Sequence, residues 1–170
     1  MNTETIVLGG GCCWCLDALY KKVEGVLSIT SGYTGGATKN PTYSEVCNGT
    51  TGHAEVVKLE YDPNIVSLEV LLRIFFEIHD PTTLNQQGGD VGTQYRSAIF
   101  YESEAQKLLA EKINAEAQAN WKNPIVTEIV PLGDFYTAEN YHQDYYAKNP
   151  DQPYCVAVIS RKLEKFLKKF

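Results

Sequence analysis

Three consecutive glycines, Gly9-Gly10-Gly11, sit between an apolar run and a helically spaced segment, and no other feature constrains the chain as much. The run before them, residues 5–9, reads as a buried strand. After them Cys12, Cys15, Leu16, Leu19 and Val23 recur at helical spacing, so a helix starts near Cys12. A strand that turns this abruptly into a helix crosses backbone conformations that side chains oppose and glycine permits. Lys21 and Lys22 are expected in the last turn, where cations complement the helix dipole. The glycines are not a phosphate loop, because their spacing fits neither GxGxxG nor GxxxxGK[ST].

The alternation of strand and helix continues along the chain. Residues 26–33 read as a strand, and 34–52 as a long loop rich in Gly, Thr and Asn, of the kind that carries function. Residues 55–61 read as a strand that ends at Asp62-Pro63. Ser67 caps a helix with Leu68, Leu71, Leu72, Phe75 and Ile78 on its core face, which stops before Pro81. A second polar loop spans 82–95. Residues 97–101 read as a strand, and Ser103-x-x-Gln106 opens a helix with Ala105, Leu108, Leu109, Lys112 and Ile113 on one side. A strand at 126–131, a short aromatic-rich helix at 138–146 and a basic helix at 161–169 complete the pattern. This order fits a two-layer α/β (α+β) sandwich without fixing the strand order. With 170 residues, no repeat and no linker, one domain over 1–170 is expected.

A net charge of -6 argues against nucleic acid as a partner. The basic tail reads as the solvated face of a helix. No secretory signal is visible, and no apolar run reaches the roughly 18 residues of a membrane helix. A cytoplasmic protein without membrane attachment is expected. In that compartment five cysteines are reactive, metal-binding or buried rather than a paired framework.

Cys12 stands where a helix begins. Unpaired N–H groups and the dipole there favour a thiolate, which is a nucleophile at neutral pH. Cys15 follows one turn later on the same face. Chemistry alone leaves four readings for the motif: a nucleophile, a CxxC disulfide oxidoreductase pair, half of a zinc site completed by Cys47 and a histidine, or a small buried hydrophobe.

Further segments narrow these readings. Gly11-Cys12-Cys13-Trp14-Cys15 resembles the GCFWG signature of the A-type methionine sulfoxide reductases. Gly32-Tyr33-Thr34-Gly35-Gly36, Asn40-Pro41-Thr42-Tyr43, Gly52-His53-Ala54-Glu55 and Tyr61-Asp62-Pro63 are similar to successive segments of that family. So are His79-Asp80-Pro81-Thr82, Gly89-Asp90, Gly92-Thr93-Gln94-Tyr95-Arg96-Ser97 and Ala138-Glu139-x-Tyr141-His142-Gln143-Asp144-Tyr145. The resemblance implies a two-layer fold around a ferredoxin-like split βαβ core with a mixed sheet. It implies thiol-dependent reduction of the S epimer of methionine sulfoxide, free or in oxidised proteins. No bound cofactor or metal is implied, and thioredoxin or another dithiol would be the reductant.

The same resemblance assigns roles. Cys12 matches the nucleophile, which leaves as a sulfenic acid that a second thiol converts to a disulfide. Glu55 matches the acid that serves the sulfoxide oxygen; strand alternation leaves its face open. Tyr43 and Tyr95 match hydroxyl donors to that oxygen, and Asp90 an orienting carboxylate. Trp14 matches the wall against the substrate methyl group. Cys155, after Asn149-Pro150-Asp151-Gln152-Pro153, matches a resolving cysteine, with Cys15 as the alternative. Cys47, His53, His79 and His142 read as structural or as hydrogen-bonders behind the site. Cys13 replaces the signature's phenylalanine and Cys15 its second glycine, so a weaker hydrophobic grip on substrate is expected.

Overall fold

The computed structural model of the chain describes residues 3–11, 13–139 and 142–143. Strands β1 (Glu4–Gly9), β2 (Val26–Thr34), β3 (Ala54–Tyr61), β6 (Ala98–Tyr101), β7 (Glu128–Pro131) and β8 (Phe135–Thr137) form one sheet in the order β7-β6-β1-β3-β2-β8. Only β6 and β7 run parallel; every other neighbouring pair is antiparallel, so the sheet is mixed. Strand β3 lies between β1 and β2, and β1 lies between β3 and β6. Strands β4 (Gln86–Gln87) and β5 (Asp90–Val91) make a separate two-residue hairpin.

Helices α1 (Cys13–Tyr20), α3 (Leu68–Ile78) and α4 (Glu104–Ala117) pack on one face of the sheet. Strand alternation decides what they meet. Ile6 and Leu8 of β1, Val57, Leu59 and Tyr61 of β3, and Ile99 of β6 point to the helices. Val7, Ala54, Val56, Ala98 and Phe100 form a smaller cluster on the opposite side, joined by Phe135. Ser67 and Ser103 cap α3 and α4 by accepting from the N–H groups of Val70 and Gln106.

Four expectations need correction. Helix α1 ends at Tyr20, so Lys21 and Lys22 lie beyond its last turn; Lys21 still reaches Asp17 at 3.8 Å. Helix α4 buries Gln106, Ala110 and Ile113, with Leu109 partly covered, whereas Leu108 is 59% exposed. The helix is rotated because the polar Gln106 faces inward, where its amide donates to the Thr5 carbonyl (2.8 Å) and accepts from the Glu102 N–H (2.8 Å). The loop at 34–52 contains a short helix, α2 (Tyr43–Cys47), opened by a reciprocal capping box between Thr42 and Glu45. Ala138 and Glu139 are not helical: the Ala138 N–H donates to Ser31 O (2.9 Å), extending the β2–β8 pairing. The rest of that expected helix, apart from His142 and Gln143, and the basic helix at 161–169 lie outside the described residues.

Candidate functional site

The sheet topology brings four segments to one edge. Strands β1 and β2 end where β3 and β6 begin: Gly9 pairs with Ala98, and Tyr33 with Glu55. The glycine turn, Tyr33, Glu55 and the residues just before β6 therefore converge without any being neighbours in sequence. Gly11 adopts φ +91°, and a Cβ there would lie 2.7 Å from the Gln87 side chain. A Cβ on Gly10 would press on the rings of Phe75 and His79 at 3.1 Å. The turn is thus closed over by α3 and by the β4–β5 hairpin. Gln87 holds that hairpin by accepting from the Asp80 N–H (2.8 Å) and donating to the Asp80 carbonyl (2.9 Å). Its cross-strand partner is Asp90.

Glu55 shares the alternation of Val57, Leu59 and Tyr61 and so faces the helices, which settles the face that sequence left open. It is 2% exposed. The Cys13 N–H at the start of α1 donates to Oε1 at 3.5 Å, and Oε2 is buried with no hydrogen-bond partner among the described residues. Burial pushes its pKa up to about 7, the Cys13 N–H and thiol oppose the shift, and the Asp90 charge adds to it. A carboxyl in that range gives up a proton near neutral pH.

Tyr43 is the first residue of α2, and its hydroxyl engages the Cys47 thiol one turn on. Burial, that hydrogen bond and the charge of Glu55 raise the Tyr43 pKa well beyond the usual phenol range, and Tyr95 contributes. The phenol therefore stays a donor at every physiological pH. Burial pushes the Cys47 thiol up, although the Tyr43 hydroxyl lowers it, so this cysteine is a poor nucleophile. Tyr95 closes the 3-10 turn Thr93–Tyr95 and is half-buried. Glu55, Asp90, Tyr43 and Tyr95 thus lie within electrostatic reach of one another.

The contacts that hold these side chains from behind are only partly visible in the sequence. Glu139 accepts from the Tyr33 hydroxyl and the Tyr43 N–H, each at 3.1 Å, and although burial raises it, these bonds hold its carboxyl below the ordinary range. Gln143 accepts from the Ser31 N–H (2.8 Å) and donates to the carbonyls of Ser31 (2.9 Å) and Ala138 (3.0 Å). Trp14 is half-buried, and its indole N–H donates to His142 Nδ1 at 3.1 Å. His53 holds the 34–52 loop by accepting from the Gly36 N–H (3.0 Å) and contacting the Thr38 carbonyl (2.6 Å). His79 reaches Ser97 Oγ at 2.8 Å. Gln87, which is buried, carried no signal beyond a polar residue in a loop, whereas Gln94, also buried, stands within one of the segments singled out in the sequence.

Cys13 and Cys15 are each 2% exposed. Cys12 and Cys155 lie outside the described residues, as does Tyr141. Among the described residues no group of three His, Cys, Asp or Glu side chains is placed to hold a metal ion.

Residues 4–170 match the family model described as peptide methionine sulfoxide reductase. The chain is 57% identical over 167 residues to the peptide methionine sulfoxide reductase MsrA of Paenarthrobacter aurescens, covering 98% of this chain and 96% of that one. It superposes on the reduced form of Mxr1 from Saccharomyces cerevisiae with a TM-score of 0.86 at 41% identity, covering 90% of this chain and 89% of that one. It also matches the same yeast protein in complex with Trx2, with a TM-score of 0.61 at 30% identity and 84% coverage of both chains.

Proposed function

The chain belongs to the peptide methionine sulfoxide reductase family, and on that premise we propose that Cys12 reduces the S epimer of methionine sulfoxide, free or in oxidised proteins, with Glu55 as the acid. The observation that carries this reading is Glu55 itself: a carboxyl buried at the mouth of the glycine turn, with one oxygen unpartnered among the described residues and a pKa of about 7.

The chemistry follows from what a sulfoxide resists. Its oxygen leaves sulfur only when protonated or strongly hydrogen-bonded. The Cys12 thiolate attacks the substrate sulfur while Glu55 delivers one proton to its oxygen; the S–O bond breaks, the oxygen ends on Cys12 as a sulfenic acid, and methionine is freed. Tyr43 and Tyr95 donate hydrogen bonds to the oxygen as charge grows there, Asp90 orients the site, and burial, with the Asp90 charge adding to it, favours the protonated form of Glu55. Trp14 and Cys13 line the side that receives the methyl group. A second thiol then displaces water from the sulfenic acid and forms a disulfide. We assign that thiol to Cys155; the burial of Cys15 supports this choice over Cys15. A thioredoxin-like dithiol restores both cysteines, as the yeast relative's complex with Trx2 suggests by analogy.

The finer architecture belongs to the same proposal. The order β6-β1-β3-β2, with β3 splitting the β1–α1–β2 unit, supports a ferredoxin-like split βαβ core, and the three helices on one face support a two-layer sandwich. A family match over 4–170 supports one domain across 1–170. We place the protein in the cytoplasm; no helix among the described residues is long and apolar enough to cross a membrane.

The deciding experiment assays separated S and R epimers with dithiothreitol, beside Cys12→Ser. Turnover of the S epimer alone, abolished by the serine variant, is expected. Turnover of R only, or an active serine variant, would defeat the reading. Insulin reduction without sulfoxide turnover would favour a CxxC oxidoreductase instead, and stoichiometric zinc a metal-binding module.

A further inference from the structure

We propose that His142 is a positioning residue for the reduction: a ring that fixes the indole of Trp14 and the ring of Tyr43 at set places against it. The proposal rests on the reading of Trp14 as the wall for the substrate methyl group and Tyr43 as a donor to its oxygen.

The geometry is that of three rings brought together from three distant parts of the chain. The Trp14 ring lies 5.6 Å from the His142 ring at an interplanar angle of 24°. The Tyr43 ring lies 4.3 Å away, tilted by 49°. The indole N–H donates to Nδ1 at 3.1 Å, so Nδ1 carries no proton and the ring acts there as an acceptor. Burial lowers the His142 pKa, against the raising effect of Glu139, and so favours this neutral form. The imidazole is 1% exposed and cannot swing into solvent.

Its backbone is pinned as firmly. Three residues before it, Glu139 grips the Tyr33 hydroxyl and the Tyr43 N–H, and the His142 N–H donates to the Glu139 carbonyl at 2.9 Å. One residue after it, Gln143 is clamped to both backbone polar groups of Ser31 on β2. The ring is therefore held from the sheet, while Trp14 on α1 and Tyr43 on α2 lean on it. A misplacement of about 1 Å in such a site costs on the order of a hundredfold in rate.

The two contacts of the ring separate by substitution. His142→Phe keeps a ring beside Tyr43 and removes the acceptor for the indole. His142→Asn keeps an acceptor near the position of Nδ1 and removes the stacking surface. In the full chain, His142→Phe should raise KM for S-methionine sulfoxide about tenfold, because the wall is loosened. His142→Asn should hold KM near wild type and lower kcat by about the same factor, because the donor is loosened. Trp14 emission, read in a Trp121→Phe background where it is the only indole, should shift in His142→Phe and return toward wild type in His142→Asn. A purely structural histidine would lower the melting temperature in both variants and leave KM, kcat and their split unchanged in the folded fraction. That result overturns the proposal, as does an unshifted emission in His142→Phe; if that variant fails to fold, a wild-type kcat in His142→Asn overturns it alone. A wild type inactive on the S epimer defeats the underlying reading as well, whereas an active wild type with unaffected variants defeats only this proposal.

Discussion

Glu55 is the residue on which the chemistry turns, and its environment makes two predictions with opposite signs. Its folded pKa of about 7 lies above that of an unfolded glutamate, so the stability it contributes is complete at low pH and is lost as pH rises through about 7. Glu55→Gln should therefore gain roughly 1–3 kcal/mol of stability at pH 8 and almost nothing at pH 4, measured by denaturant unfolding at both values. Activity should move the other way. Wild-type kcat/KM should fall above about pH 7 as the acid ionises, and the glutamine variant should lose most activity and that alkaline limb together. An alkaline limb of unchanged midpoint in the variant would assign the acid elsewhere. The sequence placed Glu55 in a strand but could not orient it, because Ala54 and Val56 on either side are as apolar as the core face. Only the pairing of β3 with β1 and β2 assigns 55, 57, 59 and 61 to the helix side.

At the scale of elements, α2 is a helix whose start is written in the sequence. Thr42 and Glu45 spell a capping box inside a segment whose Gly, Thr and Asn content read as loop. Tyr43 is the first residue after that cap, so the cap sets where its ring starts. Thr42→Ala should cost about 1 kcal/mol of stability and lower kcat more than it raises KM, checked by thermal unfolding and steady-state kinetics. Wild-type kcat would show that Tyr43 is held without the cap, by Glu139 and His142. Helix α4 lies where its capping box and spacing predict, but it buries a different face, since leucine outranks glutamine in any hydrophobic pattern and Gln106 is buried for its hydrogen bonds. Ile113→Ala should cost about 2–5 kcal/mol, and Leu108→Ala less than about 0.5 kcal/mol. Equal losses in urea unfolding would restore the face expected from the sequence. The caps at Ser67 and Ser103 were legible because serine before an apolar run has one strong local meaning.

For the whole molecule, local pattern identified most strands and helices, but the convergence at one sheet edge depended on pairings between residues far apart in sequence. Gly9 meets Ala98, and Tyr33 meets Glu55; no window of local sequence contains either pair. The site residues themselves were legible chiefly through resemblance, while Gln87, Glu139 and Gln143, which fasten the site, emerged from the contacts. The sheet order predicts a gradient of backbone protection. Amides of β1 and β3, paired on both sides, should exchange with deuterium most slowly, and those of the three-residue edge strand β8 much faster. A β8 protected as well as β3 would contradict the sheet order. The same order separates the time at which the parts become available. Strands β1, β2 and β3, which form the middle of the sheet, are all complete by residue 61 and leave the ribosome first. Tyr95, Glu139 and His142 are synthesised later, so a nascent chain holds its scaffold well before it holds its reaction centre, and Cys12 emerges long before the groups that would put it to use.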